Sequence, residues 1–138
     1  MFERILCVMD CFEGARVSLA HLEEFKKAGT QEVVVLGVIS HGGCGWTGRN
    51  LEECRLDQFE KERAKLEIVL KEIEKGDVKG KMRIEVGVSS HSILKAANEE
   101  NASLIVMGTG SGSVKGLLLG RTTAEVVKRA TVPVLVMR

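Results

Sequence analysis

Five glycines fall between Gly108 and Gly120 in the stretch MGTGSGSVKGLLLGRTTAEVV, Met107 to Val127, and both flanks are apolar. Glycine inside a domain costs about 0.5–1 kcal/mol of backbone entropy against alanine, so a cluster this dense needs a use. One use is physical and general: without a Cβ, backbone N–H groups can close on an anion. Directly behind the loop, Gly120, Arg121, Thr122 and Thr123 open a helix, whose first turn carries free N–H groups and the positive end of the dipole. Lys115, Arg121, Lys128 and Arg129 outnumber Glu125 between Gly108 and Ala130. Thr122 or Thr123 is expected either to cap the helix or to donate to a phosphate. The competing reading is a surface loop in front of a capped helix.

The common phosphate motifs fail on spacing. No G-x-x-x-x-G-K-[ST] is present. A G-x-G-x-x-G fingerprint begun at Gly108 meets Ser113 where its third glycine belongs, and one begun at Gly110 meets Lys115. That fingerprint also follows a first strand, whereas this loop follows a fourth. There is no G-x-S-x-G elbow and no H-E-x-x-H. Cys7, Cys11, Cys44 and Cys54 match no zinc spacing and are expected to be reduced thiols, with Cys7 in the core. His41 and His91 fall near strand ends and read as surface or capping residues. Trp46 reads as a packing residue, with stacking on a base as the alternative.

The elements that must position this loop alternate in type. RILCVMD (Arg4–Asp10), EVVVLGVIS (Glu32–Ser40) and LIVMG are continuous apolar runs, the mark of strands buried on both faces. VPVLVMR closes the chain as a last strand. MRIEVGV (Met82–Val88) alternates apolar and polar residues and is expected at a sheet edge. Between the strands come a helix with Ala15, Leu19, Leu22 and Phe25 on one face, ending near Gly29, and a long helix over Leu51–Lys75 with a stripe of Phe59, Leu66, Val69, Leu70 and Ile73. A short helix over Ser92–Glu100 follows, capped by Ser89 or Ser90, and then one carrying Ala124, Val126, Val127 and Ala130. This alternation predicts a single α/β domain over residues 1–138: a doubly wound five-stranded parallel sheet of order 3-2-1-4-5 with helices on both faces. In such sheets ligands bind outside the carboxyl ends of the strands. The first strand ends in Asp10 and the fourth in Gly108, so neighbouring strands would set Asp10 against the glycine loop.

Net charge is +1 over 138 residues, which gives no overall field to recruit nucleic acid or an anionic membrane. No apolar run approaches a membrane span and the first residues carry no signal-type stretch, so a cytoplasmic location is expected.

At this point the sequence resembles a known family. LIVMG…G…GLLLG…AEVVKRATVPVLVMR, ILCVMD, and SILKAANEENASLIVMG are similar to the universal stress proteins across nearly the whole chain. The resemblance implies a Rossmann-like domain of the adenine nucleotide alpha hydrolase type, usually dimeric and often holding ATP or a relative, with Mg2+ as a possible companion of the nucleotide. The family pattern is G-x-x-G, nine residues, then G followed by Ser or Thr. Here Gly110, nine residues and Gly120 fit. Met107 stands where the first glycine belongs, Gly108 gives G-x-G, and Arg121 replaces the hydroxyl residue, with Thr122 one place late. Carried over by position, Asp10 lies beside ribose and base, the backbone of Val38 reads the adenine edge, and Met107 and Gly108 line base and sugar. Arg121 either clamps a phosphate with two prongs or fills its place.

Three functions follow from this reading. The first is a regulatory protein that binds an adenine nucleotide through Asp10, Val38, Met107, Gly108, Gly110, Gly120, Arg121 and Thr122, and signals to a protein partner. The second is a protein of the same fold that acts through dimerisation and protein contacts without a nucleotide. The third is a slow nucleotide phosphohydrolase, for which no placed nucleophile and base are visible. The last strand, Val132–Arg138, is apolar on both faces and expected at an edge, so it predicts a homodimer through that strand, in agreement with the resemblance.

Overall fold

The structure is a computed structural model and describes residues 2–9, 21–40, 50–108 and 120–137. In chain order the elements are β1 (Arg4–Val8), α1 (Leu22–Lys27), β2 (Glu32–Ile39), α2 (Leu51–Lys75), β3 (Lys79–Val86), α3 (Ser89–Glu99), β4 (Leu104–Gly108), α4 (Arg121–Arg129) and β5 (Val134–Met137). The strands form one five-stranded sheet of order β3-β2-β1-β4-β5. Every pairing is parallel, from Arg4 opposite Glu32 to Gly108 opposite Met137. Order, hand of pairing and the edge position of β3 are those the apolar runs imply.

Alternating side chains divide the core into two layers. Ile5, Cys7, Val33, Val35, Leu104 and Val106 face Leu22 and Phe25 of α1 and Leu66, Val69 and Ile73 of α2. Leu6, Val8, Val34, Leu36, Ile105 and Met107 face Ile93, Ala96 and Ala97 of α3 and Val126 of α4. Each fully buried aliphatic side chain contributes about 1.5–3 kcal/mol, which is why central strands tolerate no polar interruption. α2 is bounded as expected, with Asn50 accepting from Glu52 N–H at its start and Gly76 closing it. α1 ends at Lys27, followed by Gly29 at φ 99°.

Several local expectations are corrected. β3 runs Lys79–Val86 rather than Met82–Val88, because the Lys79 N–H bonds the Gln31 carbonyl and draws the strand start toward β2. α3 begins at Ser89 and its N-cap is Val88, with no side-chain cap, so Ser89 and Ser90 lie inside the first turn. The inward face of α4 is Thr123 and Val126, and Val127 is 47% exposed. Cys7 is buried and outside any disulfide, as expected, but Cys54 is joined in a disulfide whose other half lies outside the described residues. Ala15, Leu19, Cys11, Cys44, His41 and Trp46 also lie outside them.

Candidate functional site

The carboxyl end of the sheet gathers the expected site residues from three elements. Cys7 pairs with Val106 and Val8 with Leu36, so Val38 and Gly108 lie two residues beyond those pairs, on opposite sides of β1. Two strand spacings separate them, roughly 9–10 Å, about the reach of a nucleoside. Val38 and Gly108 are half-buried. Met107 is buried with its side chain in the layer under α3 and α4, so only its main chain is available to a ligand.

α4 brings the other group. Its N-cap is Gly120 in an extended conformation, φ −61° and ψ 159°, with no side-chain cap. The first closed bond of the helix runs from Ala124 N–H to Gly120 C=O at 2.9 Å. The N–H groups of Arg121, Thr122 and Thr123 therefore find no acceptor among the described residues, and they point out of the helix start with the dipole. Arg121 is exposed at the first helical position and Thr122 is half-buried behind it.

Thr123 settles one open alternative. It is fully buried, and its hydroxyl donates to the main-chain carbonyl of Gly108 at 2.9 Å. Thr123 neither caps α4 nor keeps a proton for a phosphate. It ties the start of α4 to the end of β4. The sequence shows two adjacent threonines at a helix start, and only the packing tells which one turns inward. Asp10 and Gly110 lie outside the described residues.

A second polar contact borders this end. Arg55 of α2 reaches the carbonyl of Ser40, just past β2, at 3.4 Å and the Gln58 side chain at 3.1 Å. Glu62, about two turns beyond Arg55 along α2, lies against Gly37. No spacing rule marked either residue. The resolved pKa shifts fall elsewhere, in an ion-pair cluster between β3 and α3. There burial pulls Arg83 down, but hydrogen bonds to Glu99 and Glu85 outweigh it and hold the guanidinium above its ordinary value. The hydrogen bond from Arg83 holds the Glu99 carboxyl below its own. Among the described residues no group of His, Cys, Asp and Glu is placed to hold a metal ion, and no helix is long and apolar enough to cross a membrane.

The sheet order, the parallel pairing and the helices on both faces define an all-parallel doubly wound α/β protein. The chain belongs to the universal stress protein family, whose model matches residues 1–138. A relative, universal stress protein MJ0577 of Methanocaldococcus jannaschii, is 31% identical over 155 aligned positions that cover all of this chain and 96% of the relative. The solved structure of MJ0577 superposes with a TM-score of 0.87 at 33% identity, covering 99% of this chain and 96% of that one. Two more distant structures share the fold. One is a universal stress protein in complex with cAMP, with a TM-score of 0.68 and 18% identity over 99% of this chain and 97% of that one. The other is the Archaeoglobus fulgidus protein in complex with dAMP, with a TM-score of 0.64 and 22% identity over 100% of this chain and 98% of that one.

Proposed function

We propose that this chain is a universal stress-type regulatory protein that holds an adenine nucleotide, ATP or a relative, at the carboxyl ends of β1 and β4. The observation that carries the reading is the first turn of α4, without a cap among the described residues and held against the end of β4. Three outward N–H groups at a helix start form an anion site, worth about 0.3–1 kcal/mol in the dipole contribution alone. Two proteins of the same fold are solved with cAMP and dAMP, which makes adenine nucleotides the ligand class to test. In this reading the N–H groups of Gly108, Gly110 and Gly120 face the phosphates with the α4 start. Asp10 and the main chain of Val38 hold ribose and base, and the main chain at Met107 lines the sugar. Thr122 flanks the phosphates, Arg121 supplies a charged hydrogen bond, and Mg2+ accompanies a triphosphate.

Calorimetry with ATP, AMP and adenosine on the wild type and on Arg121→Ala tests this. If Arg121 clamps a phosphate, its loss weakens ATP more than adenosine; if it fills the phosphate place, its loss improves ATP. Absence of heat for all three ligands on both proteins ends the nucleotide reading.

A second reading, action through protein contacts alone, draws on β5. It is an edge strand whose Leu135 is 39% exposed. An open apolar edge favours pairing with another copy, and we propose a homodimer through Val132–Arg138 in either reading. Light scattering should give twice the 15.1 kDa chain mass, and Val136→Lys should halve it. A monomeric wild type at tens of micromolar, about the working range of such contacts, refutes the dimer.

A further inference from the structure

We infer that Thr123 is a positioning residue for the phosphate end of the ligand: its hydroxyl, bound to the Gly108 carbonyl, fixes where the first-turn N–H groups of α4 point. The inference rests on the nucleotide reading above. Thr123 is fully buried and its hydroxyl lies 2.9 Å from the Gly108 oxygen, so the proton is taken and unavailable to a ligand. Gly108 is itself fixed, since β4 pairs with β5 at Gly108 and Met137 and with β1 two residues earlier.

The rest of α4 is held by less directional contacts. Val126 is buried in the layer shared with Ile105 and Met107, and Ala130 packs at its margin. Apolar contacts resist separation but not small slides or turns about the helix axis. The directional contact found between the helix start and the end of β4 is the Thr123 bond. A slide of about 1 Å would carry a bond of ordinary N–H···O length beyond its useful range. The groups thrown out of line are those facing phosphates, while the nucleoside contacts on β1 and β2 stay in place. The loss should therefore grow with phosphate number and be small for adenosine.

The same geometry accounts for a departure from the family pattern. The residue after Gly120, a hydroxyl residue in the pattern, is the exposed Arg121. The hydroxyl at Thr123 faces inward, so in the nucleotide reading the phosphate contacts of this turn fall to its backbone N–H groups, the Arg121 guanidinium and Thr122, all sensitive to helix placement.

The test uses the full chain. Thr123→Val keeps the shape and removes the donor, and Thr123→Ser keeps the donor and removes a methyl. Titration of each with ATP, AMP and adenosine should show Thr123→Val weakened about ten-fold or more for ATP, less for AMP and under about two-fold for adenosine, with Thr123→Ser within about three-fold of wild type throughout. Equal losses for ATP and adenosine would make Thr123 merely structural and overturn the inference. So would ATP binding unchanged in Thr123→Val, which leaves the nucleotide reading standing; a wild type that binds none of the three overturns both. If Thr123→Val does not fold, the wild type still decides: the Thr123 hydroxyl proton should remain a slowly exchanging resonance hydrogen-bonded to the Gly108 carbonyl after ATP is added, and a switch of that hydrogen bond to a phosphate oxygen refutes the inference.

Discussion

Among the described residues the two ends of the sheet differ in how their polar groups are satisfied. At the amino end the polar groups satisfy one another. The Arg4 guanidinium donates to the Glu32 carboxylate at 3.1 Å and to the Glu100 carbonyl at 2.9 Å. The Ser103 hydroxyl donates to the Arg4 carbonyl at 3.0 Å, and Thr30 closes on the Phe2 carbonyl at 2.7 Å. Glu100, with a side chain only 8% exposed, takes the Lys81 ammonium at 2.6 Å. At the carboxyl end the described residues show the Arg55 contact to Ser40 and the tie from Thr123 to Gly108. One end is closed by its own residues. At the other the first-turn N–H groups of α4 find no acceptor among the described residues, and it is at this end of a parallel α/β sheet that ligands bind.

The largest effect expected from breaking this contrast is at Glu100. Glu100→Ala removes the acid that holds Lys81 and, at 3.5 Å, Arg83. The substitution leaves Lys81 half-exposed to water and Arg83 still paired with Glu85 and Glu99, so the cost is about 1–2 kcal/mol, below that of a fully buried pair. Urea denaturation should show that loss, while titration with ATP should give the wild-type affinity. A fall in affinity comparable with the fall in stability would show that the two ends are not independent.

How far the sequence could be read follows the same division. Continuous apolar runs place β1, β2 and β4 at the centre, because burial on both faces admits no alternation. The alternating MRIEVGV puts β3 at the edge, but its start at Lys79 depends on a bond to the Gln31 carbonyl that no local pattern records. The α2 stripe was legible because 25 residues repeat it many times. The α4 face was not: nine residues with few apolar positions leave the phase open, and a threonine was turned inward by an acceptor on another strand. Helix caps failed for a related reason, since Ser89 and Ser90 fit a cap chemically while the Ser92 N–H bond to the Val88 carbonyl starts the helix earlier. Of the residues expected to form a site, Val38, Met107, Gly108, Gly120, Arg121 and Thr122 lie at the carboxyl end of the sheet, which gives their position and not their role. The inward Thr123 bond, Arg55 and Glu62 needed the fold.

A smaller effect sharpens the comparison by placing the same defect near and far from the site. A Cβ on Gly37 would lie 2.5 Å from Glu62 Oε1 and 2.8 Å from its Cγ, and a Cβ on Gly80 would lie 2.6 Å from Leu70 Cδ1. Both contacts press on α2 side chains across the same face of the sheet, and overpacking of this kind costs about 1 kcal/mol once the side chain has swung away. Glu62 is half-buried and already has a partner, so its displacement disturbs a second contact as well. Gly80 pairs with Val33, four residues before Gly37 and so about 13 Å further from the carboxyl end. Gly37→Ala and Gly80→Ala should therefore lower the denaturation midpoint to a similar extent. Only Gly37→Ala, adjacent to the Val38 main chain, should also weaken adenosine and ATP alike, by about three-fold for a shift near 0.6 kcal/mol. Equal weakening by both substitutions would mean that α2 transmits strain along its whole length, and the carboxyl end would then be no more open than the rest of the sheet.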